Sequence, residues 1–229
     1  MEIPLKKSFV DFGPDKFSFF RLDGDETYCG AVAGLQKNVF NFQEISFNNG
    51  DVFLDLGCNV GILSLFIAKA WPNSRVFAFD ASKLCIDILR LSIIENKITN
   101  LWPFHLAVGG ITEAIKLSFD AGHPTCLEQV GFNERDIRVE VPYLVKKIKI
   151  DEIFDSNLLS LGDVKYLKCD IEGGEYELFQ HLIDNRPDIL DRIEFMNLEM
   201  HPYEKLKEQD LVIRQKLTDR FRNRLVIQN

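Results

Sequence analysis

Short apolar runs alternate with segments of helical apolar spacing from residue 51 onward, and this alternation constrains the fold more than any other feature of the chain. The predicted strands are Val52–Leu56, Arg75–Phe79, Pro103–Ala107, Ala114–Phe119, Val139–Ile150, Val164–Cys169, Arg192–Glu199 and Leu225–Gln228. The predicted helices are Gly61–Ala70, Lys83–Asn96, Glu175–Ile183 and Lys205–Phe221. This order predicts an α/β fold, in which a Rossmann-like, doubly wound, mainly parallel sheet carries helices on both faces.

Residues 1–50 differ from the rest of the chain because they are rich in Phe and in turn-forming residues. We predict that they form an N-terminal extension packed on a main domain of residues 51–229. Within that domain, the stretch Asp120–Arg138 is polar and contains several turn residues. Structureless loops of this length are uncommon unless they cover a site, so we predict a lid-like insertion over about 120–138, with a short helix as the alternative.

The charge and cysteine content exclude several classes of protein. A formal net charge of −8 argues against nucleic acid as a partner, since binding to the phosphate backbone requires a basic surface. The five cysteines are odd in number and lack a CxxC spacing, which favours reduced thiols. The most apolar segment, Val52–Trp71, contains Asp55 and Lys69 and does not predict a membrane span. Because the first residues also lack a signal-peptide pattern, the expected location is cytoplasmic; the oligomeric state is not predicted.

The segment Asp55–Gly61 (DLGCNVG) follows a predicted strand and opens a helix, as a ligand-binding loop does. Its glycines are four apart, whereas a dinucleotide fold has the spacing GxGxxG. Asp55 suits the methionine ammonium of S-adenosylmethionine (SAM) better than a pyrophosphate. Asp80 follows Gly61 by 19 residues and ends the next strand, where an acid can bind ribose hydroxyls. The predicted cofactor-binding residues are Asp55, Gly57, Cys58, Asn59, Gly61, Asp80, Ala81, Ala107, Val108 and Asp170.

A second group of polar residues follows the later strands. Asp170 and Glu172 come directly after a buried strand, and Glu199 and His201 follow the next one. An alcohol loses its proton as it attacks, so these four are the predicted catalytic residues, as a carboxylate base or as ligands of a divalent metal. The residues leave that choice of metal or base open. Glu175 stands in the first turn of a helix, where the helix dipole favours an acid, and this structural role is preferred for it.

Four segments together resemble the FkbM family of SAM-dependent methyltransferases, over about residues 50–201. They are Val52–Lys69, Val76–Asp80, Leu106–Gly109 and, most specifically, Tyr166–Leu178 (YLKCDIEGGEYEL). The resemblance implies a Rossmann-like domain, SAM as methyl donor, and O-methylation of sugars or of glycosylated or polyketide-type products. It assigns cofactor positions to Asp55, Gly57, Asn59, Gly61 and Asp80, and the acidic motif to Lys168, Asp170, Glu172 and Glu175. The tail after Glu199 has room for one helix and one strand, which argues against a seven-stranded sheet with a terminal hairpin.

The function predicted from these features is SAM-dependent O-methylation of a hydroxyl on a sugar, a glycan or a small-molecule natural product. One alternative is a Rossmann oxidoreductase that uses NAD(P), against which the missing third glycine counts. The other is a protein that binds SAM without catalysis, against which the acids at both sites count.

Overall fold

The computed structural model describes residues 4–12, 15–120, 123–129, 138–155 and 162–228. An antiparallel hairpin comes first, formed by β1 (Leu5–Phe12) and β2 (Asp15–Leu22), and helix α1 (Tyr28–Gln36) follows it. The remaining strands are β3 (Val52–Leu56), β4 (Arg75–Asp80), β5 (Leu101–His105), β6 (Ala107–Gly109), β7 (Glu113–Asp120), β8 (His123–Gln129), β9 (Arg138–Lys149), β10 (Val164–Cys169), β11 (Ile193–Glu199) and β12 (Leu225–Gln228). The remaining helices are α2 (Ile62–Ala70), α3 (Lys83–Asn96), α4 (Ile150–Phe154), α5 (Glu175–Asn185), α6 (Pro187–Asp191) and α7 (Lys207–Phe221).

The central sheet has six strands in the order β12-β11-β10-β3-β4-β5, and every neighbouring pair is parallel. From β3 the chain builds outward through β4 to β5, and it later builds outward on the other side from β10 to β12. The order therefore reverses between β3 and β10, and open α/β sheets bind ligands at such a switch point. The predicted doubly wound parallel sheet is confirmed, with a final parallel strand in place of a terminal hairpin.

Helices cover both faces of this sheet, which explains why its strands carry apolar residues on both faces. On one face Leu54 and Phe79 pack with α4 to α7 in a single core. On the other face Phe53 and Tyr166 pack with α1, α2 and α3. Because successive side chains of a strand point to opposite faces, each buried strand contributes to both cores.

The N-terminal extension has more regular structure than its sequence predicts. The hairpin packs its β2 strand on α3, where the Ser92 hydroxyl accepts a hydrogen bond from Phe20 N (2.9 Å). Phe17, Phe19 and Phe40 are buried in the same core as α2. These phenylalanines supply the apolar surface that attaches the extension to the sheet.

A second sheet of order β6-β9-β7-β8 follows β5. The stretch Asp120–Arg138, predicted as a loop with a short helix as alternative, contains neither in its described middle part, which is strand β8. β8 pairs with β7 in antiparallel fashion, through Leu117–Gln129 and Phe119–Leu127. Residues 121, 122 and 130–137 of this predicted lid lie outside the described residues. Within the described part of the chain, no helix is both long and apolar enough to cross a bilayer.

Candidate active site

Three rows of side chains cross one face of the central sheet at β3, β10 and β11. The strand register places partner residues side by side, and alternation along each strand gives the spacing of two between rows. The first row is aromatic, the second is polar and buried, and the third lies just at or past the strand ends. The rows are Phe53–Tyr166–Phe195, Asp55–Lys168–Asn197 and Gly57–Asp170–Glu199. Polarity thus rises along this face toward the carboxyl ends of the strands.

A cavity of about 410 Å³ lies over these carboxyl ends. Its size is typical of a pocket for a small molecule. Its lining includes the loop after β3, the ends of β4 and β6, the ends of β10 to β12, parts of β7, β9 and α5, and two further segments from outside the central sheet. Those two segments are residues 27–40 and strand β8.

The loop after β3 packs closely against Asp170, the first residue of the segment Asp170–Glu175, which we call the acidic segment. Gly57 has φ +76°, and a Cβ at this position would lie 1.6 Å from the backbone oxygen of Asp170. Both Gly57 N and Cys58 N donate to the carbonyl of Phe79, at 2.9 and 3.0 Å. Only glycine allows the loop to cross the switch point at this distance from β10.

Asp55 and Lys168 form a buried pair beneath this loop. The side chain of Asp55 is 1% exposed; its Oδ2 accepts from the Ser64 hydroxyl (2.6 Å), and Lys168 Nζ is 3.6 Å from its Oδ1. Among the described residues, that Oδ1 has no hydrogen-bond partner. Burial raises the pKa of Asp55, opposed by the charge of Lys168. Lys168 also donates to the Gly57 carbonyl (2.6 Å), so it fixes the loop as well as the acid.

Asp80 stands at the end of β4, and each of its oxygens accepts a backbone N–H. Oδ2 accepts from Asn59 N and Oδ1 from Ser82 N, both at 2.7 Å. Burial raises the pKa of Asp80 to about 6, although the two hydrogen bonds lower it. Ala81, Ala107 and Val108 line the cavity beside it. The predicted ribose acid and these three predicted cofactor-binding residues therefore line the same cavity.

The acidic segment brings Asp170 and Glu172 close to His201. His201 Nε2 is 3.3 Å from Glu172 Oε2 and 3.9 Å from Asp170 Oδ1. Each of the three side chains offers one ligand atom, and these atoms lie within 4.8 Å of one another, so they could hold a divalent metal. Burial lowers the pKa of His201, but the hydrogen bond to Glu175 and the charges of the nearby acids outweigh burial and raise it to about 10. Protonated His201 is thus a cation among these carboxylates.

Glu175 is fully buried, and its contacts hold the backbone of the acidic segment. Its Oε1 accepts from Ile171 N and its Oε2 from Gly173 N, both at 2.7 Å. His201 Nδ1 lies 3.2 Å from Oε1. These bonds support the structural role preferred for Glu175, because they shape the turn that carries Asp170 and Glu172.

Glu199 lines the cavity from the end of β11. Burial raises its pKa, and the negative charge of Asp170 raises it further. The neighbouring Asn197 is 1% exposed; its Oδ1 accepts from Gln228 (2.8 Å), and its Nδ2 has no partner among the described residues. Of the four predicted catalytic residues, Asp170, Glu172 and Glu199 therefore line the cavity, and His201 contacts the first two of them.

Sequence reasoning missed several residues of the cavity wall. Thr27, Tyr28 and Phe40 come from the N-terminal extension, and Thr125 and Cys126 from β8. The abundance of Phe in the extension signalled burial but not which surface it covers. Thr125 lies in the stretch whose strand was not predicted.

Comparison with known proteins gives the family. The model of the methyltransferase FkbM domain matches residues 55–224. "Methyltransferase sdnD" of Sordaria araneosa is 21% identical over 177 residues, which are 67% of this chain and 64% of that protein. "Methyltransferase 1" of Beauveria bassiana is 19% identical over 187 residues, or 71% of this chain and 72% of that protein. The match thus covers slightly less than two thirds of the length of the first of these relatives.

A solved structure, methyltransferase FkbM from Methylobacillus flagellatus KT, is 18% identical, with a TM-score of 0.38 and coverage of 69% of this chain and 40% of that one. Precorrin-6y C5,15-methyltransferase from Geobacter metallireducens GS-15 is 11% identical, with a TM-score of 0.44 and coverage of 80% and 69%. The family match extends from Asp55, which begins the predicted cofactor set, to Arg224, beyond the acids at the ends of β10 and β11. The chain belongs to the methyltransferase FkbM domain family.

Proposed function

We propose that this protein transfers a methyl group from SAM to a hydroxyl of a sugar, a glycan or a small-molecule natural product. One observation carries the proposal: the loop with Asp80 and the acids Asp170, Glu172 and Glu199 line the same cavity at the switch point of the sheet. A donor held by the first group would present its methyl group to an acceptor held by the second.

The residues on the Asp80 side fit SAM. Asp55 Oδ1 is a buried carboxylate oxygen without a hydrogen-bond partner in the described part of the chain, as a site for an ammonium group requires. Gly57 leaves no room for a side chain beside β10. Asp80 is fixed by two backbone N–H groups and retains lone pairs for ribose hydroxyls. These residues would hold the cofactor, with Ala81, Ala107 and Val108 around the adenine.

SAM supplies an electrophilic methyl group on a sulfonium, and S-adenosylhomocysteine (SAH) is left after transfer. Asp170 would accept the proton that the acceptor hydroxyl loses as it takes up this methyl group. Lys168 Nζ, 3.3 Å from Asp170 Oδ2, orients this carboxylate. Glu199 lies close enough to be affected by the Asp170 charge, and its raised pKa suits it to share the proton.

The acceptor class rests on the chemistry of these carboxylates. An aliphatic hydroxyl requires a base, and the acids at the ends of β10 and β11 provide one. A nitrogen acceptor is less favoured, since the Asn/Asp-Pro-Pro-aromatic motif of many amide and exocyclic-nitrogen methyltransferases does not occur in the sequence.

The test is transfer of labelled methyl from SAM by the purified protein into fractionated cell extract. We expect label in a glycan or small-molecule fraction, stable to mild base, and no label with the Asp80→Ala variant. Calorimetric titration with SAM and with NAD accompanies it. Label confined to protein or nucleic acid, or binding of NAD in place of SAM, would contradict the proposal.

A further inference from the structure

The two wall segments outside the sheet are joined to each other by hydrogen bonds above the cofactor loop. The carboxylate of Asp25 is buried, at 4% exposure; it accepts from the Thr125 hydroxyl (2.6 Å) and from Thr27 N (2.9 Å). The hydroxyls of Thr27 and Thr125 also lie 2.6 Å apart. We call Asp25, Thr27 and Thr125 the clasp. It ties the N-terminal extension to β8, across about 100 residues of sequence.

The clasp continues into the cofactor loop through Asn59. The Asn59 side-chain amide lies 3.4 Å from the Thr125 carbonyl and 3.5 Å from its hydroxyl, as a donor to either. Asn59 has φ +51°, in the left-handed region that asparagine adopts more readily than other residues with a Cβ, and its Oδ1 accepts from Val60 N (2.7 Å). The backbone N–H of the same residue donates to Asp80 Oδ2. A continuous series of hydrogen bonds therefore runs from Asp25 through Thr125 and Asn59 to Asp80.

From this series we infer that Asp25 and Thr125 are positioning residues of the cofactor site, which hold Asn59 and, through it, the carboxylate that binds the ribose. The inference rests on the proposed function, because it assigns Asp80 to the ribose of SAM. It places residues 25–27, which lie outside the segment matched by the family model, in the binding site.

The physical reason is that a ligand carboxylate needs a fixed direction. Within the described parts of the chain, two donors align Asp80, and one of them is the N–H of Asn59. If the Thr125 hydroxyl is removed, Thr125 loses its bond to Asp25 and the Asn59 side chain loses one of its two acceptors on Thr125, so the Asn59 N–H that donates to Asp80 is held less firmly. Removing a hydrogen bond to a charged group lowers affinity by about tenfold or more. The effect should be confined to ligands that use Asp80.

The experiment compares Thr125→Val, which keeps the shape but removes the hydroxyl, with Thr125→Ser, which keeps the hydroxyl. Thr218→Val, on the exposed face of α7, is the control for the effect of replacing threonine by valine at a position away from the cavity. Titration calorimetry measures the affinity of each full-length variant for SAH and for its 2′,3′-dideoxy analogue. We expect Thr125→Val to weaken SAH binding about tenfold and binding of the analogue less than twofold. Thr125→Ser should restore SAH binding, and Asp25→Asn should resemble Thr125→Val.

The outcomes separate this inference from the function on which it rests. Wild-type protein that does not bind SAH contradicts the proposed function and the inference with it. Wild-type protein that binds SAH, with Thr125→Val and Asp25→Asn binding equally well, overturns the inference alone. An equal loss for SAH and for the dideoxy analogue also overturns it, because the clasp then acts on the fold and not on the ribose acid.

Discussion

Replacement of Gly57 by Ala tests whether the close approach of the loop to β10 is essential. The new Cβ would lie 1.6 Å from the Asp170 oxygen, whereas ordinary contacts of a Cβ are no closer than 3.0 Å. The loop or the end of β10 must therefore move by more than 1 Å. Two hydrogen bonds span this junction, from Asp170 N to Leu56 O (3.0 Å) and from Lys168 Nζ to Gly57 O (2.6 Å).

The expected loss follows from these contacts. A left-handed φ costs alanine about 1 kcal/mol, and the two hydrogen bonds are worth about 1 and about 2 kcal/mol. We therefore expect Gly57→Ala to lower the free energy of unfolding by about 4 kcal/mol. Gly61→Ala is the matched control, because Gly61 also has a positive φ (+81°) but its Cβ would meet the flexible side chain of Leu89. For this variant about 2 kcal/mol is expected, from the left-handed φ and moderate overpacking.

Urea unfolding of both variants, followed by far-UV circular dichroism, measures the two values. SAH titration of whatever folded protein remains at low urea concentration shows whether the loop still binds. A difference of less than about 1 kcal/mol between the variants, or normal SAH affinity for Gly57→Ala, would refute the argument from close packing.

Three further predictions concern the groups in the cavity. SAH affinity should fall as the pH drops below about 6, because burial raises the pKa of Asp80 to about 6 and the protonated acid accepts fewer hydrogen bonds. Calorimetry from pH 5 to 8 should show this fall for the wild type. The Asp80→Asn variant should bind SAH more weakly and with no dependence on pH. Asp170→Asn should lower kcat by roughly 10²–10⁴ and change SAH affinity less than threefold, and near-normal turnover of labelled methyl would move the base to Glu199. Because Asp170 is proposed as a plain carboxylate base, EDTA should leave turnover unchanged; a loss restored by Mn²⁺ or Mg²⁺ would instead indicate a metal held by Asp170, Glu172 and His201.

The parallel sheet could be predicted from the sequence because its strands are short, mostly apolar runs that alternate with segments of helical apolar spacing. Val52–Leu56 and Val164–Cys169 have the same bounds in the structure as in the prediction. The N-terminal hairpin was not predicted, since its phenylalanines alternate with polar residues for only a few positions and the decisive contact, of β2 with α3, is distant in sequence. β8 was missed because the segment contains Pro124, a residue that is depleted in strands, and only pairing with β7 makes the segment a strand.

The candidate site could be predicted from the sequence where a single motif identifies a residue. Asp80, Asp170 and His201 each follow a predicted strand, and parallel strands end at one edge of the sheet. The pairings across strands were not predictable in the same way. The contact of Lys168 with Gly57 depends on the register of β3 and β10, which the sequence of either strand does not reveal. For Glu175, a structural role was predicted from its place at a helix start. Its burial and its hydrogen bonds with two backbone N–H groups were not predicted.

The all-parallel order of the central sheet also has a consequence for how the protein folds. No two neighbouring strands of that sheet are joined by a hairpin, so each pair forms only after a crossover segment has closed, and β3 meets β10 across more than 100 residues. Folding through such distant contacts is slow, because the entropy of loop closure is lost before the contacts compensate for it. The cavity lies at the contact between β3 and β10, where Gly57 meets Asp170. A ligand at this contact binds only chains in which β3 and β10 have already paired. SAH added during refolding should therefore slow the unfolding of folded molecules without accelerating the folding steps that precede this pairing.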